Sequence, residues 1–204
     1  MRKSILAGVL ISFGALFAIA AAPYGNVAQG LCFSVGLFGV FCCDALLFTG
    51  QVLGIQRVWS GEKPLRDVLR TWAGVWCGNL IGAVCVALVA VVAHVDASYA
   101  VQYKAALPWP ELLARAALCN VMVCLAVWAR RKGVPELSAA LLPVACFVAC
   151  GFEHSVADMF YMGLGAIGGH VSLVDVARVL ALATVGNIIG GVAFSWLVDG
   201  KENK

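Results

Sequence analysis

A carboxylate and an imidazole stand side by side in Gly151-Phe152-Glu153-His154-Ser155, inside the long apolar run from Ser138 to Met162. Ionisable groups at bilayer depth are costly, so they mark a working site on a substrate or ion path. Neutral imidazole donates one hydrogen bond to an anion, and imidazolium adds a charge or passes a proton. Glu153 neighbours His154 in sequence and on a helix would point about 100° away from it. That direction suits Glu153 to satisfying backbone N–H groups freed by a helix break as well as to a place on the path. A second polar interruption, Leu46-Leu47-Phe48-Thr49-Gly50-Gln51, offers the Thr49 hydroxyl to the same space. Catalysis is not indicated, because no nucleophile–base pair, HExxH, phosphate loop or ATP motif occurs. An intramembrane enzyme or quinone redox protein would want paired histidines or an acid dyad. No catalytic residue, cofactor or metal site is therefore expected.

The elements that position these groups are membrane spans. The chain has 204 residues, is 62% hydrophobic and only 12% charged, and its apolar residues come in blocks rather than stripes. One transmembrane domain covering residues 1–204 fits that length. The net charge of +3 resides in the connectors and gives no reason to expect nucleic acid. Nine cysteines fall inside the apolar blocks without a CxxC pair, which reads as small polarizable core residues rather than disulfides or a zinc site.

Span 1 runs from Ser4 to Ala22, too long for the ~7–15-residue core of a signal peptide, and ends at the turn Pro23-Tyr24-Gly25-Asn26. Span 2 starts near Val27, meets Asp44 in its apolar part, breaks at Leu46 to Gln51 and resumes through Ile55. Span 3 covers about Trp72 to Ala93 and span 4 about Leu112 to Ala129, with Asn120 inside. Span 5, Leu137 to Met162, is broken by the Glu-His stretch, and a glycine-rich link from Gly163 to Gly169 leads to span 6, Val176 to Val198. Asp199 to Lys204 forms a charged tail. Six spans put both termini on one side. That side holds Arg2 and Lys3, the basic residues from Arg57 to Arg70, Arg130-Arg131-Lys132, Lys201 and Lys204, whereas the other keeps Lys104, with Arg115 and Arg178 at span starts. The positive-inside rule puts both termini in the cytoplasm of a multi-pass protein.

An internal repeat is visible. Gly78-Asn79-Leu80-Ile81-Gly82 in span 3 returns as Gly186-Asn187-Ile188-Ile189-Gly190 in span 6. Broken span 2, centred on Thr49, pairs with broken span 5, centred on His154. Two three-span halves, about 1–100 and 101–204, must insert in opposite directions. Paired interrupted helices in an inverted repeat point to a transport site at the midplane, since unwound backbone is tolerated only where protein or a cavity surrounds it. The freed helix ends would aim N–H groups at an anion. The glycines read as close helix packing; the asparagine amides suit either packing or a passing anion.

Leu47-Phe48-Thr49-Gly50, Cys119-Asn120-Val121-Met122-Val123-Cys124-Leu125-Ala126-Val127-Trp128, Gly151-Phe152-Glu153-His154-Ser155-Val156-Ala157 and Gly186-Asn187-Ile188-Ile189-Gly190-Gly191 together resemble the formate–nitrite transporter family through all six spans. The resemblance implies an all-α homopentamer of aquaporin-like protomers in a bacterial plasma (inner) membrane, each with its own pore for small monovalent anions. Formate and nitrite are the leading substrates, with hydrosulfide or another short monocarboxylate as alternatives, and protons as a possible co-substrate. His154 matches the family's pore histidine, Thr49 its loop threonine, and Lys104, sixteen residues before Asn120, its vestibule lysine. The substrate path is then His154, Thr49, Lys104, Asn120 and Glu153. Phe33 and Phe147 match the outer constriction, and Leu37, Leu47 and Phe48 the inner one. An aquaporin-like pore for neutral solutes is the remote alternative, and its Asn-Pro-Ala motifs are missing. Two departures stand out: Leu46 replaces a usual acidic residue, and Asp158 replaces the asparagine that follows Glu-His-Ser-x-Ala. Either change bears on which anion is accepted.

Overall fold

The computed structural model describes residues 1–199, all of whose regular elements are helical. Four helices are long and apolar enough to cross a membrane: α1 (Arg2–Ala21), α5 (Leu65–Val92), α7 (Trp109–Arg131) and α10 (Leu173–Asp199). Two further crossings are made of half-helices. α2 (Asn26–Cys42) is followed by α3 (Phe48–Gln51), a 3-10 turn at Val52–Ile55 and α4 (Gln56–Trp59). α8 (Glu136–Ala149) is followed by α9 (Ser155–Ile167). A short helix missing from the sequence reading, α6 (Ser98–Ala106), lies in the connector between α5 and α7.

Local chemistry sets where these helices begin. α5, α7 and α8 each start directly after a proline, Pro64, Pro108 and Pro135, whose backbone is extended with ψ of 146°, 144° and 145°. Asp67, Glu111 and Glu136 then place a negative charge in the first turn, where the unpaired N–H groups and the helix dipole favour it. At α6 the Ser98 N–H donates to Asp96, which holds that carboxyl below the usual carboxylate range. Ahead of α10 the Ser172 hydroxyl accepts from the Asp175 N–H while Asp175 accepts from Ser172, a reciprocal cap.

The two halves repeat contact for contact. α1 packs on α2 and α5 as α7 packs on α8 and α10. A Cβ on Gly82 would collide with the Ile5 carbonyl, and one on Gly190 with the Ala117 carbonyl, so both helix pairs meet backbone to backbone. This is the packing role expected of the glycines. The halves also interlock: α9 packs against α1 and α5, α3 packs against α7, and α2 packs on α8. One cluster of buried apolar side chains runs through both, from Ala7 and Ile11 through Phe48 and Met159 to Ala183.

Several boundaries differ from the sequence reading. The break in span 2 comes earlier, at residues 43–47, with Asp44 inside it rather than in the apolar part. Helix α9 continues to Ile167, so most of the Gly163–Gly169 link is helical, its small residues packed against Ala87 and Val101. The cysteines are not uniformly core residues. Cys119 and Cys124 are buried, but Cys42, Cys43, Cys77, Cys85, Cys146 and Cys150 lie on the outside of the protomer, where an apolar thiol is acceptable in lipid or at a subunit contact. The expected tail residues Lys201 and Lys204 lie outside the described residues.

Candidate functional site

Both breaks are built by one backbone scheme. After α2, Asp44 turns the chain at φ 46° and the Ala45 N–H returns to Val40 O at 3.0 Å. After α8, Gly151 turns it at φ 67° and the Phe152 N–H returns to Phe147 O at 2.9 Å. Leu47 and His154 then adopt extended backbone immediately before α3 and α9. The register therefore makes Leu47, not Thr49, the repeat counterpart of His154, a correction of two residues to the expected pairing.

The asparagines of the Gly-Asn-x-x-Gly repeats hold the breaks. Asn79 Oδ1 accepts from the Phe48 N–H at 2.8 Å, while its amide N–H groups donate to Leu46 O and Ser4 O. Asn187 Oδ1 accepts from the Ser155 N–H at 2.8 Å and donates to Glu153 O and Ala116 O. Both side chains are fully buried and fully used, so neither is left to bond a passing anion. The same bonds occupy one helix-end N–H group at each break, that of Phe48 and that of Ser155. Glu153, expected as a cap, contributes only its carbonyl to this network.

His154 Nε2 lies 2.9 Å from Thr49 Oγ1, joining the two interrupted crossings across the centre of the protomer. His154 Nδ1 accepts from the Ala157 N–H at 3.1 Å, which assigns the ring proton to Nε2 and makes the imidazole the donor to Thr49. Thr49 is fully buried and His154 nearly so. Asn120, also fully buried, donates to Thr49 O at 3.3 Å and Asn187 O at 2.6 Å. Its amide N–H groups thus fix the Thr49 backbone instead of lining the cavity, contrary to its placing on the path.

A cavity of about 640 Å³ opens above this pair, and Phe33, Phe147, His154, Glu153, Lys104 and Arg115 are among its walls. Phe33 meets Phe147 edge to face at 5.9 Å, and Phe147 stacks on the His154 ring at 5.8 Å. The two phenylalanines therefore border the histidine where the outer constriction was expected. Leu37, Leu47 and Phe48 are all buried, Leu47 and Phe48 at the opposite break. Lys104, expected in the vestibule, lines the cavity but is ion-paired there. Its Nζ contacts Glu153 Oε2 at 2.5 Å and Asp158 Oδ1 at 2.8 Å, and Tyr161 covers it at 5.3 Å. The acid pair thought missing from the sequence is thus present, brought together by the lysine from positions five apart. Asp158 and Arg115 were not placed in the site by sequence reasoning. For Asp158 the signal was its departure from the family's asparagine. Arg115 donates to Gly151 O at 3.0 Å and to Glu111 at 2.6 Å, steadying the shoulder of the second break.

Comparison with known proteins identifies the family and the fold. The family model described as formate/nitrite transporter matches residues 1–199. The formate channel FocA of Escherichia coli (strain K12) is 32% identical over 98% of this chain and 86% of its own length. A probable formate transporter of Methanothermobacter thermautotrophicus is 32% identical over 94% of this chain and 84% of its own. Among solved structures, a pentameric formate channel with formate bound superposes with a TM-score of 0.81 at 26% identity, covering 98% of this chain and 96% of that one. An FNT family ion channel superposes at 0.87 with 26% identity, covering 97% and 87%. These relatives are channels and transporters rather than enzymes. With the whole described chain matched and its two breaks in place, the protein is a membrane protein that belongs to the formate/nitrite transporter family.

Proposed function

We propose that the protein is a homopentameric channel for small monovalent weak-acid anions, formate foremost and nitrite next. Each chain acts as one transmembrane domain with its own pore, set in a bacterial inner membrane with both termini in the cytoplasm. The relatives named for formate and the basic residues gathered on one side support this reading. The observation that carries it is the buried His154–Thr49 bond beneath the cavity, where two polar groups from opposite halves meet in an otherwise apolar slit. The anion passes Phe33 and Phe147, exchanges water for the Nε2–H of His154 and the hydroxyl of Thr49, then leaves past Leu37, Leu47 and Phe48.

An apolar slit rejects a bare anion because its lost hydration is not replaced. The helix-end N–H groups of Phe48, Ser155 and Ala157 are already spent on Asn79, Asn187 and His154, so they do not supply the missing shell. That favours passage with a proton, as the neutral acid, with His154 orienting the species at the narrowest point. Anion-dependent proton flux into liposomes holding the purified protein tests this. Formate uptake accompanied by protons and lost in His154→Ala is expected. An anion current independent of pH would count against the protonation route, and uptake unchanged in both His154→Ala and Thr49→Ala would remove the pore assignment.

A further inference from the structure

The cluster of Lys104, Glu153 and Asp158 has one charge too many. Lys104 brings one positive charge, and two carboxylates converge on it from the break and from the first turn of α9. The lysine side chain is 14% exposed, Glu153 3% and Asp158 0%, so water does not dilute the imbalance. Both reach the same ammonium, at 2.5 and 2.8 Å, which brings the two carboxyl groups together. Two ionised carboxylates so placed repel each other, and a proton shared between them removes that repulsion. The second Asp158 oxygen, Oδ2, is buried with no donor at all, a cost that an ionised carboxylate bears more heavily than a neutral acid.

The groups that face the cluster do not restore neutrality. From α7 come Cys119, which presents a thiol, and Arg115, which is held by Glu111 and Gly151. Tyr161 of α9 offers its ring to the lysine, Tyr103 beside it on α6 lies under Arg115, and His154 carries its single ring proton toward Thr49.

We infer that Glu153, Asp158 and Lys104 form a proton-binding site in which the two carboxyls share one proton beside the lysine at the floor of the outer cavity. With the proton on, the cluster sums to zero and an anion is admitted to His154. As outside pH rises the proton leaves for cavity water, the cluster becomes −1 and anions are repelled. One unit charge about 10 Å away at an effective dielectric near 20 changes local anion occupancy roughly tenfold. Asp158 is the residue responsible, since an asparagine there would leave Lys104 and Glu153 balanced at every pH. The gating consequence rests on the channel reading above, whereas the proton site itself does not.

The test uses the full-length protein in liposomes. Infrared difference spectra in water and heavy water at neutral pH are expected to contain a protonated-carboxyl band that is absent from both Asp158→Asn and Glu153→Gln and kept in Asp158→Glu. Circular dichroism identifies any variant that has not folded, and the other substitution then decides. A band unchanged from wild type in a folded Asp158→Asn or Glu153→Gln would overturn the site. On raising outside pH through the band's titration, formate uptake by wild type is expected to fall roughly tenfold further than that of Asp158→Asn, which keeps only the fall due to the permeating acid itself. A variant with the wild-type profile would overturn the gating. Wild-type liposomes that take up no formate at any pH would sink the channel reading instead, leaving the infrared comparison to decide the proton site.

Discussion

The two interrupted crossings share a backbone and differ in chemistry. At each, a helix ends in a left-handed residue, three non-helical residues follow, and a buried asparagine on the next full crossing receives the first N–H of the next helix. In the first break the residues that pass the asparagine are Leu46 and Leu47; in the second they are Glu153 and His154. Helix α7 steadies both shoulders, with Arg115 on Gly151 O near its start and Arg130 on Phe41 O and Asp44 near its end. The repeat therefore supplies the frame twice and the polar function once. The first copy fills its break with buried apolar side chains, and the second carries the imidazole that the proposed anion path uses.

The largest expected effect comes from erasing that difference. His154→Leu gives the second break the side chain of the first. Leaving the permeating species without its hydrogen-bond partner in the slit costs about 1–3 kcal/mol, roughly a five- to hundredfold drop in transport. Formate uptake by liposomes measures this, and the melting temperature of the variant should stay near that of wild type because Leu47 shows that the frame accepts leucine. Removing the shared part should do the opposite. Asn79→Ala and Asn187→Ala each strand a buried N–H and two buried carbonyls, and each should cost about 2–4 kcal/mol by thermal unfolding in detergent. Equal losses would confirm a common frame. A loss at only one site would show that the two breaks are held by different means.

Much of this was legible in the sequence, for physical reasons. Long apolar runs and clustered basic residues set out six crossings, and Gly-Asn-x-x-Gly written twice exposed the repeat. His154 and Thr49 were found as a pair because polar groups in an apolar run have few other uses. What failed was register. Thr49 was matched to His154 by position within the break, when the capping bonds match His154 to Leu47. Those bonds run between residues about 30 apart, a distance at which local pattern says nothing of which N–H meets which amide. The partners of Lys104 were hidden for the same reason. Only when α6 packs on α9 do Glu153 and Asp158 share its one ammonium.

The smallest effects probe the turn residue, where the two breaks solve one backbone problem with different side chains. Gly151 takes φ 67° at no steric cost, and a Cβ there would stand 3.1 Å from Arg115 Nη1. Gly151→Ala should therefore cost about 1–2 kcal/mol, the usual strain of a left-handed L-residue, and should also loosen the arginine that steadies this shoulder. Asp44 already bears that strain at φ 46° and recovers part of it through its 3.0 Å pair with Arg130. Asp44→Gly removes both terms, and an exposed ion pair is worth only about 0–1 kcal/mol. The two changes should nearly cancel, leaving stability within about 0.5 kcal/mol of wild type. If Asp44→Gly instead destabilised as strongly as Gly151→Ala, the aspartate would be holding the first break by its side chain, and the asparagine frame would be only half of what keeps that break open.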